Sequence, residues 1–437
     1  MEDILNQGQK AAAEGFFNFL FSDQKELIIS GPGGVGKTFL MSYLIDKIIP
    51  EYQNACQLLG KPSVYDTVTM TATTNKAAEV LSVATNRPTQ TIHSYLGLII
   101  YDDYVTGKSV LKKTRSWTVH QNEIIFIDEA SMIDTDLLKL IHEGTKDCKI
   151  VYVGDHCQLA PVMESLSPIY KKNFPFYELT EPMRNNGQPA LQAICKQLRE
   201  TVETGVFKPI KLVPGIIDLL DDQHMENEIK THFNNPDNNY RIVAYTNKRV
   251  IDYNNYIREM RSYTLPYEVG ENLVNNNAFT IKVGNRIETI SVEDRVKLLE
   301  VSAENQIIID QDAYGNDVTL DIVRAKILTH YGKVYIVSLP INKTHYRKLI
   351  NYYKNQKNWI KYFELKNNYM DLRPEDASTV HKSQGSTFDT VFIDLSDLST
   401  CRQSDMAARL LYVAFTRARN RVILYGKLKD KFGGIQQ

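Results

Sequence analysis

Short apolar runs, each closed by glycine or an acid, alternate with longer segments of helical spacing along most of this chain. "KELIIS" (25–30), "NEIIFIDEASMI" (122–133) and "KIVYVGDHCQLAPV" (149–162) are such runs. Continuous rather than alternating hydrophobicity predicts strands buried on both faces, hence a parallel sheet covered by helices. "TVTMTATTNKAAEVL" (67–81) reads as strand, polar turn, helix, and "YRIVAYTNKRVIDYNNYIREM" (240–260) repeats that grammar. "ASTVHKSQGSTFDTVFIDL" (377–395) gives a short strand, a polar loop and a buried strand. "LLYVAFTRARNRVIL" (410–424) gives a helix followed by a strand. The class is therefore α/β, with two parallel-sheet halves.

Two segments break the rhythm. Residues 98–120 alternate and turn at Thr106-Gly107, which predicts a protruding β-hairpin. Its Lys108, Lys112, Lys113 and Arg115 lie among Tyr101, Tyr104 and Trp117, so it reads either as a grip on nucleic acid or as a solvated excursion. Residues 262–372 interrupt the second half. Their first part, with "NQIIID", "VTLDIVRAKIL" and "GKVYIVSL", suggests a small barrel. Their last part, "KTHYRKLINYYKNQKNWIKYFELKNNY", is basic and roughly helical in period. The favoured reading packs Leu349, Tyr353, Trp359 and Phe363 on the barrel and leaves Lys348, Lys354, Lys357 and Lys361 in water.

Composition changes the picture little. The 437 residues carry a formal net charge of -1, so any nucleic-acid contact must come from local patches. The 5 cysteines have no metal spacing and read as reduced thiols. The start, MEDILNQGQK, has no signal-peptide character, and no apolar run approaches a membrane span, so a cytoplasmic protein is expected.

The chemistry lies at the ends of the apolar runs. Gly31-Pro32-Gly33-Gly34-Val35-Gly36-Lys37-Thr38 fits G-x-x-x-x-G-K-[ST] in full. Glycines let backbone N–H groups close around phosphate, Lys37 reaches the outer phosphates, and Thr38 offers a hydroxyl to Mg²⁺. Asp128 and Glu129 end the next run, where one carboxylate can reach Mg²⁺ and the other can polarise an attacking water. Gln158 follows Gly154-Asp155 and can sense a γ-phosphate or orient water. Thr74 and Asn75 fall at a helix N-terminus, equally suited to a backbone phosphate and to plain capping.

Arg417 lies between two buried elements in a half that has no phosphate loop of its own. A buried guanidinium needs an anion, so Arg417 is expected to complete the site across the cleft as an arginine finger, with Arg184 of "LTEPMRNN" as a second candidate. The alternatives are a surface salt bridge for Arg417 and a loop arginine for Arg184.

Taken in order, these motifs resemble superfamily 1 helicases of the B type, including their Dda-like and RecD-like members, from Gln9 to Arg417. The resemblance implies two RecA-like domains, at 1–97 with 121–186 and at 187–261 with 373–437. It makes 98–120 a strand-separating pin and 262–372 an SH3-like insertion over the DNA track. It implies an ATP hydrolase using Mg²⁺ that moves 5′ to 3′ on single-stranded DNA and unwinds duplex DNA, in phage replication or recombination. It places Gln9 on adenine, Gly33, Gly34, Val35, Gly36, Lys37, Thr38 and Phe39 around the phosphates, and Gly385 at the nucleotide. Thr38 and Asp128 would hold Mg²⁺; Lys37, Glu129, Gln158, Arg184 and Arg417 would serve catalysis. Thr74, Asn75, His93, Thr246, Asn247, Thr379, His381 and Lys382 would line the strand. A monomer is implied, acting on single strands and duplex junctions, with a single-strand-binding or replication protein as the class of protein partner and no membrane. Thr73 stands where the family usually has proline, and the pin agrees in position more than in residues. RNA rather than DNA as the track, a non-motor ATP switch that clamps DNA, and a nucleotide kinase are the rival readings; the second-half arginines speak against the switch, and the length against the kinase.

Overall fold

The unbroken apolar runs pair in parallel, as burial on both faces requires. The computed structural model describes residues 5–65, 67–161, 164, 166–181, 188–284, 286–312 and 314–436. A six-stranded sheet runs in the order Phe176–Glu178, Glu26–Ser30, Lys149–Gly154, Glu123–Asp128, Thr67–Ala72, Thr89–Thr91. Every pairing in it is parallel. Phe16, Leu40, Leu44 and Tyr52 cover one face, and Ile92, Leu137, Ile141 and Ile169 the other. The register sets Ser30 beside Gly154 and Ala72 beside Asp128, so the functional loops leave the same edge of the sheet.

A second parallel sheet has the order Ile217–Leu220, Ala418–Tyr425, Phe388–Asp394, Tyr240–Ala244, Ala377–Thr379. It also carries apolar clusters on both faces, one around Leu198, Leu410 and Phe415 and one around Ile229, Ile257 and Phe392. The α/β reading with two parallel sheets holds.

Within the second unit, between Tyr240–Ala244 and Ala377–Thr379, the chain makes a six-stranded antiparallel sheet from Asn272–Asn275, Arg295–Val301, Asn305–Gln311, Asp317–Thr329, Val334–Pro340 and Leu372–Pro374, beside a separate ribbon, Phe279–Val283 with Arg286–Ile290. The strands expected from "NQIIID", "VTLDIVRAKIL" and "GKVYIVSL" are present; Arg295–Val301 was not foreseen. Leu372–Pro374 pairs with Asn272–Asn275, so this sheet takes in residues 373 and 374, past the expected boundary at 372.

The basic segment after the barrel is two helices, Lys343–Asn355 and Trp359–Asn368, separated by Lys357 with φ +55°. Leu349, Tyr353 and Phe363 are buried, and Lys348, Lys354 and Lys357 are exposed, as expected. Trp359 departs from the expectation. Its ring lies against Gly107, where a Cβ would come within 2.3 Å of it. The hairpin is the reason. Strands Leu98–Asp102 and Ser109–Lys113 pair antiparallel around a turn at 103–108, and that turn rests on the second of these helices. Tyr104 meets Phe363 edge-on at 5.0 Å, and Asn367 donates to Asp102 Oδ2 at 2.8 Å. The hairpin's lysines are engaged nearby: Lys112 lies over Tyr101, and Lys113 over Trp117 while pairing with Glu143.

Candidate nucleotide site and nucleic-acid track

The phosphate loop sits where Glu26–Ser30 ends and the helix Lys37–Tyr43 begins. A Cβ on Gly31 would fall 2.4 Å from the Leu179 carbonyl, and Gly36 has φ +80°, so both positions require glycine. Lys37 Nζ donates to the Gly31 and Pro32 carbonyls, at 2.7 and 2.9 Å, and thus lies folded over its own loop. Gly33, Gly34 and Phe39 are exposed, and Val35 is buried.

Gln9 is 0% exposed. Its backbone N–H donates to the Asn6 side chain, and its Oε1 accepts from the Asn6 N–H, closing a capping box for the helix Gln7–Phe21. Its Nε2 donates to the Val35 carbonyl at 3.2 Å. Gln9 therefore braces the phosphate loop here, and an adenine would have to draw its carboxamide away from these partners.

Asp128 and Glu129 lie at the end of the strand Glu123–Asp128, separated from the phosphate-loop strand by Lys149–Gly154. Asp128 Oδ1 accepts from the Glu129 N–H at 2.9 Å. Both are half-buried, and protein packs closely around them. That burial raises both pKa values, Glu129 to about 7, with the charge of Asp128 adding to the effect on Glu129; Lys37 and Arg417 work the other way. The pair is short of positive charge. Thr38, at the start of the helix Lys37–Tyr43, and Asp128, at the end of the strand Glu123–Asp128, supply hard oxygen donors, a set that fits Mg²⁺ completed by phosphate oxygens and water.

Gln158 lies on the far wall and links the halves: its Oε1 accepts from Gln384 Nε2 at 3.1 Å. Arg409 reaches across as well, donating to the His156 and Gln158 carbonyls at 2.6 and 2.8 Å. Lys76 Nζ donates to Ser386 Oγ at 2.6 Å. Arg417 is 7% exposed. Its guanidinium donates to the Val413 and Ser386 carbonyls and to Thr416 Oγ1, and the Glu129 carboxylate supports its charge across the cleft against the cost of burial. The salt-bridge alternative finds no direct partner for it among the described residues. Arg184 falls outside the described residues. Gly385, φ +75°, is exposed on the loop that carries Gln384.

The track residues follow a register that the sequence did not disclose. In the first sheet Ala72 pairs with Thr91; in the second, Ala244 pairs with Thr379. Two residues beyond each partner come Thr74 and His93 in one half, and Thr246 and His381 in the other. Thr74 caps the helix Asn75–Thr85, and Thr246 caps Asn247–Met260. Thr74 thus caps its helix as one of its two readings expected, and Thr246 does the same; Thr74, Asn75 and Asn247 are exposed. Thr246 also donates to Asp397 at 2.8 Å. Thr379 is buried and accepts from the Lys382 N–H. Burial lowers the pKa of His93 and His381, so both are neutral near pH 7. Lys382 bonds Asn276 and lies 3.5 Å from Glu293, which leaves it little free charge.

Residues 4–209 match the model of an AAA domain, and 376–425 that of a UvrD-like helicase C-terminal domain. Over 458 residues the chain is 24% identical to the ATP-dependent DNA helicase dda of Enterobacteria phage T4, covering 95% of this chain and 98% of that one. Over nearly its whole length the chain resembles the B-type helicases of superfamily 1. The RecD subunit of the RecBCD enzyme of Buchnera aphidicola is 29% identical over 163 residues, covering 32% of this helicase and 23% of that subunit. A Pif1 helicase from Bacteroides, solved with ADP-AlF3 and single-stranded DNA, is similar at TM-score 0.47 and 16% identity, covering 100% of this helicase and 95% of that chain.

Sequence reasoning missed Arg199, Arg409 and Tyr412. Arg199 follows Leu198 on a helix with a buried stripe through Leu191, Ile194 and Leu198, and that adjacency was its signal. Arg409 and Tyr412, three residues apart, share the face of the helix Ser404–Thr416 that meets the first unit.

Proposed function

We propose that this helicase is an ATP-driven motor that moves 5′ to 3′ along single-stranded DNA and opens duplex ahead of it, in phage replication or recombination. The observation that carries this reading is the division of labour at the cleft. One parallel-sheet unit holds the phosphate loop and the acid pair, while the other holds Arg417, which interacts electrostatically with Glu129 yet is bonded to its own helix.

Thr38 and Asp128 would hold Mg²⁺, which would bind the phosphate oxygens, and Arg417 would leave its helix for the nucleotide's charge as the cleft closes. Lys37 leaves the Gly31 and Pro32 carbonyls for the phosphates. Glu129, ionised, takes a proton from the attacking water, and Gln158 reports the γ-phosphate to Gln384. Arg184, on the same reading, is a second finger. Alternating strength of the Thr74–His93 and Thr246–His381 pairs on the backbone would turn closure into a step. Such contacts do not depend on base sequence, which suits a motor.

Strand displacement on duplexes with a 5′ or a 3′ single-stranded tail tests direction. Unwinding of the 5′-tailed substrate alone is expected; unwinding of the 3′-tailed one would reverse the assignment. ATPase stimulated by single-stranded RNA as strongly as by DNA would make this an RNA motor, since the 2′-OH would then be tolerated or read.

A further inference from the structure

We propose that Asp155, Arg199 and Tyr412 form the pivot of cleft closure and act on hydrolysis by positioning Arg417. The inference rests on the motor reading above.

Asp155 follows the strand Lys149–Gly154 and is 1% exposed. Its Oδ1 accepts from Arg199 Nη1 at 2.6 Å and from the Cys157 N–H at 3.1 Å. Its Oδ2 accepts from the Tyr412 hydroxyl at 2.7 Å. Arg199 belongs to the helix Pro189–Thr204, which joins the halves, and also meets Glu178 at 2.7 Å and Glu203 at 3.2 Å. Tyr412 belongs to the helix Ser404–Thr416, whose end carries Arg417. One buried carboxylate thus ties the first sheet, the joining helix and the finger helix. Burial alone would raise the pKa of that carboxyl, but Arg199, then Lys37 and the Tyr412 hydroxyl, outweigh it and hold it low. The group is therefore an anion, and Lys37 is among the charges that hold it so.

Two features make this a pivot rather than simple adhesion. First, the bonds at Asp155 are short, buried and charge-assisted, and breaking one strands a charge. Another contact between the halves, Lys76 to Ser386, is only part-buried, so water can replace it and it costs less to part. Motion will spare the first and break the second. Second, Arg417 lies five residues past Tyr412, about 7.5 Å along a helix. A turn about Tyr412 must carry it, and its present bonds to Val413 and Ser386 show that it has to be carried.

Tyr412→Phe removes one hydroxyl. With saturating single-stranded DNA, kcat for ATP is expected to fall about tenfold or more, the scale of a small misplacement of a catalytic group. The KM for ATP should stay within about twofold. Arg199→Lys keeps the charge but loses the planar fork, and should give the same split; it serves if Tyr412→Phe folds poorly. Adding Tyr412→Phe to Arg417→Ala should cost nothing further in single-turnover hydrolysis, because the pivot acts through the finger. Losses that multiply in the double variant would overturn the proposal. A slow Arg417→Ala beside a parent-like Tyr412→Phe would sink the pivot alone, whereas a parent-like Arg417→Ala would sink the finger and the pivot together.

Discussion

Glu129 occupies a left-handed backbone position, φ +52°, that side-chain residues seldom adopt, and its carboxyl is crowded by Asp128. Both costs sit where a base is needed. The sign of the linkage is definite. The folded pKa, about 7, lies above the unfolded one, so the group's contribution to stability is full below about pH 4.3 and is lost as pH rises through 7. In ligand-free protein, Glu129→Gln should therefore gain stability over the parent between pH 5 and 8 by urea unfolding, and lose nearly all DNA-stimulated ATPase. A stability difference that does not change with pH would mean that the carboxyl is not perturbed. Arg417→Ala should lower kcat by about 10³ while ATP binding weakens far less, and lysine should not restore it. A loss confined to KM would return Arg417 to an ordinary structural role.

At the scale of elements, the hairpin Leu98–Asp102 with Ser109–Lys113 holds no group of the nucleotide site. At its turn Val105 is 84% exposed, while Tyr104 and Gly107 are occupied by Phe363 and Trp359. Val105 is thus the most exposed apolar side chain of the turn, and on the pin reading it is the one to meet a duplex end. Replacing 101–117 with a short Gly/Ser turn should abolish duplex unwinding and leave ATPase on saturating single strands at low salt; collapse of both would make the segment part of the track. Trp359→Ala, which removes the brace and keeps the hairpin, should slow unwinding several-fold with ATPase unchanged. The hairpin was legible because alternation and a Gly turn are local signals. The brace was not, because Trp359 sits in a helical pattern whose apolar stripe fits a barrel equally well. The same limit explains Gln9 and Arg199. Motif spacing marks a residue as special, but whether its polar atoms meet a nucleotide, a cap or another buried charge depends on partners such as Val35 and Asp155, far away in the chain. The parallel strands were easy to see because burial on both faces leaves a continuous apolar run; Thr89–Thr91, at the sheet edge, leaves none.

The whole molecule joins its parts more than once. The first unit meets the second through Arg409 and Tyr412. The second runs into the antiparallel insertion at Leu372–Pro374. The insertion returns to the first unit twice: at the hairpin, where Asn367 bonds Asp102 at 2.8 Å, and at the helix Asn75–Thr85, where Asn75 bonds Ser291 at 2.6 Å and Glu79 accepts from Tyr331 at 3.1 Å beside His330. These contacts make a closed loop of protein. A strand lying inside it can arrive by its end, as thread enters a needle, or sideways if one link parts. The links at Asn75 and Glu79 are exposed polar pairs, each worth about 1 kcal/mol or less, and the loop should open when they part together with the hairpin's hold on the helix Trp359–Asn368. Circular single-stranded DNA, which has no end, ought then to stimulate ATPase nearly as well as linear DNA. Cysteines placed at Glu79 and Tyr331 and joined by a bismaleimide should leave linear strands usable and shut circles out. If joined protein still accepts circles, the latch is elsewhere. If the loop encloses its strand, persistence on DNA would rest on topology as well as on affinity.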